Sequence, residues 1–319
     1  MSFQTTRLRA GCKINLYLRV GKRLPNGYHE LDTLFLPLSE PCDFLDISWN
    51  DNGKGKNVDE RGDLTVEFSV GGIDPARNTL TRAHAWYASL TGFSPALRVT
   101  VQKNIPHGAG LGGGSADAAV LLRYLQEEAA KAGYPALNQA ELLEQSAAIG
   151  ADVPFFLLGT AANATGIGEK LVPVDNPYVG CFLVLVCPDI AVSTAWAFAA
   201  LDDLRKAHNC SGAGDPAQAH AGKQKSEKIS TLGLTSAGHR DTYSLAHGAL
   251  PGNDFEDLVF TRYPQLKRLY RWLCGTDADV VRMSGTGSSL FALFSNEKKA
   301  LVVMKSLASD GYRVYMQAL

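Results

Sequence analysis

The chain has 319 residues, of which 45% are hydrophobic and 20% charged, and its formal net charge is −1. That length suffices for two ordinary domains with their own cores. The balanced charge excludes a global basic field that would recruit nucleic acid, and no apolar run is long enough to span a membrane as a helix. The opening MSFQTTRLRAGCKINLYLRV lacks the apolar core of a secretory signal. Six cysteines, Cys12, Cys42, Cys181, Cys187, Cys210 and Cys274, form no CxxC, and no Cys/His spacing supports zinc. They are expected to be reduced, mostly buried thiols of a cytosolic protein with no metal site of its own.

In chain order, LTVEFSV (64–70) and LRVTVQK (97–103) alternate like half-buried strands. Between them Asn78 predicts the cap of a helix through LTRAHAWYASL that stops at Gly92. AAVLLRYLQEEAA (118–130) has helical periodicity. Asn138 with Glu141 starts a third helix in the manner of a capping box, and Gly150 is expected to end it. CFLVLVC (181–187) reads as a buried strand. From about 205 to 250 the chain is rich in Gly, Ala, Ser, Lys and His with almost no aromatics, which predicts a mobile insertion. Lys223, Lys225 and Lys228 there read as a solvated face, and the irregular spacing of His208, His220, His239 and His247 gives a metal site little support. A helix over 263–274, a strand-turn-strand over 280–294, a helix around 298–309 and a strand at 312–318 complete the chain. Helices mixed with strands on both sides of the insertion predict two α+β domains.

PHGAGLGGGSADAA (106–119) needs its own explanation. Residues 108–113 fit GxGxxG, but Asn104, Ile105 and Pro106 separate the preceding strand from the glycines, and Gly114 and Ser115 separate them from the apolar helix. About twenty residues on stand Glu127 and Glu128, inside a helical pattern, where a dinucleotide site needs an acid at a strand end. The loop is not a Walker A sequence either. Its chemistry nevertheless suits phosphate: glycine permits φ > 0 and close backbone approach, successive N–H groups can form an anion nest, and a helix N-terminus follows. Ser115 can cap that helix or offer its hydroxyl to a phosphate or Mg²⁺. SGTGSS (284–289) alone would read as a hairpin turn; two such loops favour a shared site.

PHGAGLGGGSADAA resembles the second motif of the GHMP kinases. CKINLYLRVGKRLPNGYHELDTLF (12–35), GADVPFFLLGTAANATGIGEKL (150–171) and MSGTGSSLFALF (283–294) carry the resemblance over nearly the whole chain apart from the insertion. The most specific element is Lys-Ile-Asn-Leu with Arg-x-x-x-Gly-Tyr-His, which other members of the superfamily lack. The resemblance implies transfer of the ATP γ-phosphoryl group to the 2-hydroxyl of 4-diphosphocytidyl-2-C-methyl-D-erythritol, a step of non-mevalonate isoprenoid biosynthesis. It also implies an α+β, two-domain fold. Residues 1–170 would form a ribosomal-protein-S5-like domain with a left-handed βαβ unit, against the usual crossover rule. Residues 171–319 would form a ferredoxin-like domain carrying the insertion, with the site between the two.

The resemblance also implies roles. Asp152 matches the catalytic Asp, although an Asp after Gly-Ala reads equally well as a helix cap. Lys13 matches the active-site Lys; without the motif, a Lys at a strand start would be read as solvated. Asn15 would bind the substrate near its reacting hydroxyl. Tyr28 and His29 match the cytidine-binding pair, Phe198 would close the cytosine pocket, and Thr194 and Ile167 match further substrate contacts. Pro106, His107, Gly108, Ala109, Gly110, Leu111, Gly112, Gly113, Gly114, Ser115 and Ala116 would wrap the ATP phosphates, with Lys103 near the nucleoside and Asn78 either facing it or only capping its helix. Mg²⁺ is implied with ATP, its protein ligand not being visible. Ala109 and Ala116 depart from the family's Gly-Gly-Gly-Leu-Gly and Ser-Ser, at a cost in backbone freedom and one hydroxyl. Lys13 stands too near the start for a transit peptide, so a bacterial cytosolic enzyme is expected, monomeric or a weak homodimer, with no nucleic-acid or membrane partner. The alternatives are another GHMP small-molecule kinase, of homoserine or mevalonate type, an S5-like nucleic-acid-binding protein, and a Rossmann oxidoreductase.

Overall fold

The structure, a computed structural model, describes residues 5–49, 64–210 and 251–319. Most of the expected insertion, with Lys223, Lys225, Lys228, His220, His239, His247 and the side chain of His208, lies outside the described residues.

The N-terminal half is a six-stranded sheet built on one long antiparallel hairpin, β1 (Thr5–Arg23) with β2 (His29–Trp49). The other strands are β3 (Leu64–Phe68), β4 (Leu97–Gln102), β5 (Ala162–Thr165) and β6 (Lys170–Pro173), in the order β3-β4-β2-β5-β6. β3 and β4 run parallel, joined through α1 (Thr79–Thr91), as an α/β crossover requires. Asn78 caps α1 as expected, its side chain accepting from Thr81 N, and Gly92 ends it at φ 74°. With α2 (Gly113–Lys131), α1 lays Leu80, Ala83, Tyr87, Leu121 and Leu125 against Leu45, Ile47, Val99 and Val101, all essentially inaccessible. The third helix, α3 (Gln139–Ser146), starts with the predicted capping box but ends before Gly150; a short turn then leads to α4 (Val153–Leu158).

The C-terminal half is a four-stranded antiparallel sheet of β7 (Phe182–Cys187), β8 (Val280–Met283), β9 (Leu290–Phe294) and β10 (Arg313–Ala318), in the order β10-β7-β9-β8. Its helices among the described residues are α5 (Thr194–Cys210), α6 (Glu256–Arg262), α7 (Pro264–Cys274) and α8 (Glu297–Ser309). The β-α-β-β-α-β succession with this strand order is the expected ferredoxin-like arrangement. α5 corrects one expectation: the composition change near 205 falls inside a helix. Between the halves lies a shared apolar layer. Ile14, Leu16, Leu36 and Leu38 from the hairpin and Leu183, Leu185, Phe291 and Leu293 from the second sheet enclose Ile105, Ala109 and Leu111 of the glycine loop. Cys12, Cys42, Cys181 and Cys187 are buried free thiols, while Cys274 is exposed.

Glu256, in the first turn of α6, accepts from Met283 N at 2.9 Å, and burial pushes its carboxyl up to about 7. The native chain therefore keeps a proton that the unfolded chain releases above its ordinary value of 4.5. The stability contributed by this group falls as pH rises from about 4.5 to about 7, by at most about 3 kcal/mol. Glu256→Gln keeps the acceptor and removes the titration, so its melting temperature relative to wild type should rise between pH 5 and pH 8. Parallel melting curves across that range would overturn this account.

Candidate active site

The glycine loop folds by alternation. Gly108, Gly110 and Gly112 have φ of 67°, 77° and 75°, while no non-glycine residue among the described ones has positive φ, so Ala109 and Leu111 lie on the ordinary side. Alternating hands of backbone turn successive N–H groups to one side, which makes an anion nest. The carbonyls are tied the other way. Gly108 O accepts from Val192 N (3.0 Å), Ala109 O from Ser289 N (3.2 Å), Gly110 O from Ser284 Oγ (2.9 Å) and Leu111 O from Lys13 N (3.0 Å). Ala109 thus bears no left-handed strain, which corrects the expected cost of alanine there. α2 begins at Gly113 with Gly112 as its N-cap and no side-chain cap, so Ser115 lies in the first turn and does not cap the helix. Ser115 N donates to Gly112 O at 3.0 Å, while the N–H groups of Gly113 and Gly114 precede the first intrahelical bond and mark the positive end of the helix dipole. A Cβ on Gly110 would lie 2.1 Å from Ser284 O, and one on Gly285 3.2 Å from Gly110 Cα. SGTGSS is therefore both the β8–β9 connection and the wall against which the loop is packed, backbone to backbone.

Beside this loop stand Lys13 and Asn15, neighbours on one face of β1. Lys13 is mid-strand and 4% exposed, not a solvated residue at a strand start. Its Nζ donates to Asn15 Oδ1 at 2.7 Å, lies 3.7 Å from Asp152 Oδ2 and sits 4.8 Å above the centre of the Phe35 ring. Asn15 Nδ2 donates to Thr33 Oγ1 (2.9 Å), and Asn15 N to Ser284 Oγ (3.2 Å). A β-bulge between Asn15 and Leu18 ends the register here, the device that re-aims side chains at strand sites. Asp152 occupies the N-cap position of α4 but makes no cap hydrogen bond, and its Oδ2 faces Lys13 Nζ instead. The turn holding Ile167 closes this side: Gly166 O accepts from Leu31 N (2.7 Å), and a Cβ on Gly168 would lie 3.9 Å from Asp152 Oδ1. Ser115 Oγ abuts the turn leading into Asp152, 3.6 Å from a Cβ placed on Gly150.

A second cluster forms where the hairpin turns. Gly27, at φ 86°, sends Tyr28 outward, 59% exposed, while His29 is buried. The His29 ring stacks on Phe198 of α5 with centroids 5.0 Å apart and planes 24° apart. Asp202, four residues after Phe198, meets His29 Nε2 at 2.7 Å, and Arg23 lies 3.7 Å from its other oxygen. At the start of the same helix, Thr194 Oγ1 is 3.1 Å from Thr286 Oγ1, joining α5 to the SGTGSS wall.

Lys103 departs from expectation. Its ammonium is buried between Asp43 and Asp117, 2.7 Å from Asp117 Oδ2, so it does not reach outward to a nucleoside. Asp43 also accepts from Asn104 N (2.6 Å) and Ile105 N (2.8 Å), and Asp117 lies in α2, so the triad pins both ends of the glycine loop. Burial drives the Asp117 carboxyl upward, against the pull of Lys103. Lys103 still contributes to the wall of a cleft of about 260 Å³ with Pro106 and His107, between Val70–Ile73 and Pro188–Ala191. Asn78 Nδ2 donates to Pro75 O at 2.8 Å, so both ends of its amide are used in its cap and turn. Asp43, Asp117, Asp202 and Thr33 escaped the sequence reading, and Ser284 was read only as part of the SGTGSS turn. A signal existed only for Asp202, which follows Phe198 at the i, i+4 spacing of one helix face. No group of three or more His, Cys, Asp or Glu side chains that could hold a metal occurs among the described residues.

Comparison with known proteins gives a consistent result. Residues 78–160 match the GHMP kinases N terminal domain, and residues 238–313 match GHMP kinases C terminal. A 4-diphosphocytidyl-2-C-methyl-D-erythritol kinase of Nitratidesulfovibrio vulgaris is 41% identical over 98% of both chains. That of Solidesulfovibrio magneticus is 40% identical over 99% of this chain and 97% of its own. A crystal structure of 4-(cytidine 5'-diphospho)-2C-methyl-D-erythritol kinase superposes with TM-score 0.66 at 28% identity, covering 98% of each chain. Homoserine kinase from Cytophaga hutchinsonii, at 15% identity and TM-score 0.68 over 100% of this chain and 97% of that one, shares the fold.

Proposed function

The chain belongs to the 4-diphosphocytidyl-2-C-methyl-D-erythritol kinases of the GHMP kinase family, and from that premise we propose how its residues carry the reaction. It is an ATP-dependent small-molecule kinase that phosphorylates the 2-hydroxyl of 4-diphosphocytidyl-2-C-methyl-D-erythritol, releasing ADP, in isoprenoid precursor synthesis. The observation that carries the assignment of roles is the meeting of Lys13 with Asp152 at 3.7 Å while Lys13 N holds the loop carbonyl of Leu111. One residue thereby links the two, its side-chain ammonium facing the acid and its backbone N–H tied to the phosphate loop.

In this reading, residues 106–116 hold the ATP phosphates through the nest and the α2 N-terminus. The acceptor hydroxyl attacks the γ-phosphorus, the bond to the bridging oxygen breaks towards ADP, and Asp152 takes the hydroxyl proton. Lys13, 3.7 Å from Asp152 Oδ2, holds the acid beside the loop and offsets charge on the transferring group. Asn15 orients the acceptor, with Thr194 and Ile167 at the margins of its site. Lys103 acts through its buried triad, setting the loop. Mg²⁺ belongs to this proposal as the partner of ATP, where it neutralises phosphate charge. The ion takes few protein ligands beside phosphates and water, and the hard oxygens of Asp152 and Ser115 beside the loop suit it. Domains of 1–170 and 171–319 complete the division, although β6 (Lys170–Pro173) carries the first sheet three residues past that boundary. Monomeric or weakly dimeric action in the cytoplasm completes the proposal; no described helix is long and apolar enough to cross a membrane.

Tyr28 is the exposed ring of the base end, and base–aromatic stacking contributes about 1–3 kcal/mol. Tyr28→Ala should raise KM for the cytidyl substrate about 10-fold with kcat little changed; an unchanged KM would remove the stacking role. The overall reading is tested by coupled ADP release with Mg-ATP and the cytidyl substrate, against mevalonate and homoserine. Turnover confined to the cytidyl compound is expected. Turnover of a control alcohol alone would keep the phosphate loop and overturn the reading of residues 12–35.

A further inference from the structure

The base end holds a second layer that the phosphoryl chemistry does not use. His29 is buried, and its ring is fixed in two directions: the face by Phe198 at 5.0 Å, the edge by Asp202 at 2.7 Å from Nε2. Asp202 is itself held by Arg23 at 3.7 Å, and its side chain is mostly buried. Three residues further along α5, the Arg205 guanidinium donates to Gly21 O (2.8 Å) and Val20 O (2.6 Å), so the helix is locked to the hairpin end that carries His29. An ionised carboxylate only accepts. In a neutral imidazole facing it, Nε2 therefore carries the proton and Nδ1 keeps its lone pair. Among the described residues, the bond to Asp202 is the sole hydrogen bond of the His29 ring.

We propose that Asp202 is a specificity-determining positioning residue: it holds His29 as a hydrogen-bond acceptor at Nδ1, so that the pocket takes a base presenting an exocyclic amine and rejects one presenting a carbonyl. This rests on the reading of Tyr28 and His29 as the base pocket. Cytosine and uracil differ there in just this way, one offering an N–H donor and the other a second lone pair. A site built to accept a hydrogen bond rejects the analogue that cannot give one, because its own polar atom is then left unpaired. Asn at position 202 can turn its amide and donate to Nε2. The proton then moves to Nδ1, and the preference is relaxed.

The test compares kcat/KM for the cytidyl substrate and for its uridyl analogue, made by deaminating the cytosine, in wild type, Asp202→Asn and Asp202→Glu. Nitrogen-15 NMR of His29 reads the tautomer directly. Wild type should prefer the cytidyl compound by about 30-fold or more and show a protonated Nε2. Asp202→Asn should bring the two compounds within about threefold, chiefly through KM, while Asp202→Glu, which still only accepts, should keep the preference. An Asp202→Asn enzyme that is slower on both compounds but equally selective, or a wild type with the proton on Nδ1, would overturn the proposal. Wild-type turnover of neither compound would instead remove the functional reading, and this proposal with it.

Discussion

Asp152→Asn should lower kcat by about 10²–10⁴-fold, the range for loss of a positioned general base, while leaving ATP affinity within about threefold. The carboxamide matches the carboxylate in shape but takes no proton, and it leaves Lys13 without its anionic partner at 3.7 Å. Loss of fold is not the expected cause of inactivity. Asp152 stands at the N-cap of α4 without capping it, so Asn removes no helix hydrogen bond. ATP affinity is expected to persist because the loop is held elsewhere, by Val192, Ser289, Ser284 and the backbone of Lys13. Steady-state ADP release together with an ATP-binding titration separates the two quantities. A variant with full kcat would refute Asp152 as the proton acceptor, and one that no longer binds ATP would move its role to the loop.

Gly110→Ala should be the most damaging alanine substitution among the described glycines. The added carbon would lie 2.1 Å from the Ser284 carbonyl oxygen, at a backbone φ of 77°. Alanine has no side-chain torsion with which to escape. The left-handed backbone costs about 1–2 kcal/mol and overpacking about 1–3 kcal/mol more. Relief requires parting the two loops, which breaks the Ser284 Oγ bonds to Gly110 O and from Asn15 N. A loss of about 2–5 kcal/mol in stability and at least about tenfold in ATP affinity is expected. Thermal denaturation with and without ATP checks both; a variant with wild-type melting and binding would mean that the loops are not packed as described.

The sequence was most legible where chemistry is local. The Asn78 and Asn138 caps, the apolar strand 182–187 and the hairpin around SGTGSS are decided by neighbouring residues. Reading failed where distant packing decides. Gly113 and Gly114 are poor helix formers, so periodicity places the start of α2 too late. Yet a Cβ on Gly113 would lie 3.0 Å from Ile105 Cγ2, and this close approach is what the glycine permits. The burial of Lys103 was equally hidden, since Asp43 lies 60 residues before it in the chain. Lys13 and Asn15 look like the solvent face of an ordinary strand. They are buried because the glycine loop and SGTGSS, from elsewhere in the chain, cover that face.

The long hairpin has a further consequence. His29 begins β2, and Phe35, whose ring underlies the Lys13 ammonium, stands opposite Asn15 on the same strand. The six intervening steps measure about 20 Å of extended chain. The base end and the reacting end are thus two marks on one covalent gauge, and no movement of the C-terminal half against the N-terminal half alters the interval between them. A compound whose pyrimidine and alcohol are joined through a single phosphate can satisfy either mark, but not both at once. In the proposed reading, substrate is thereby selected by span as well as by base, and the hairpin keeps that standard through every turnover.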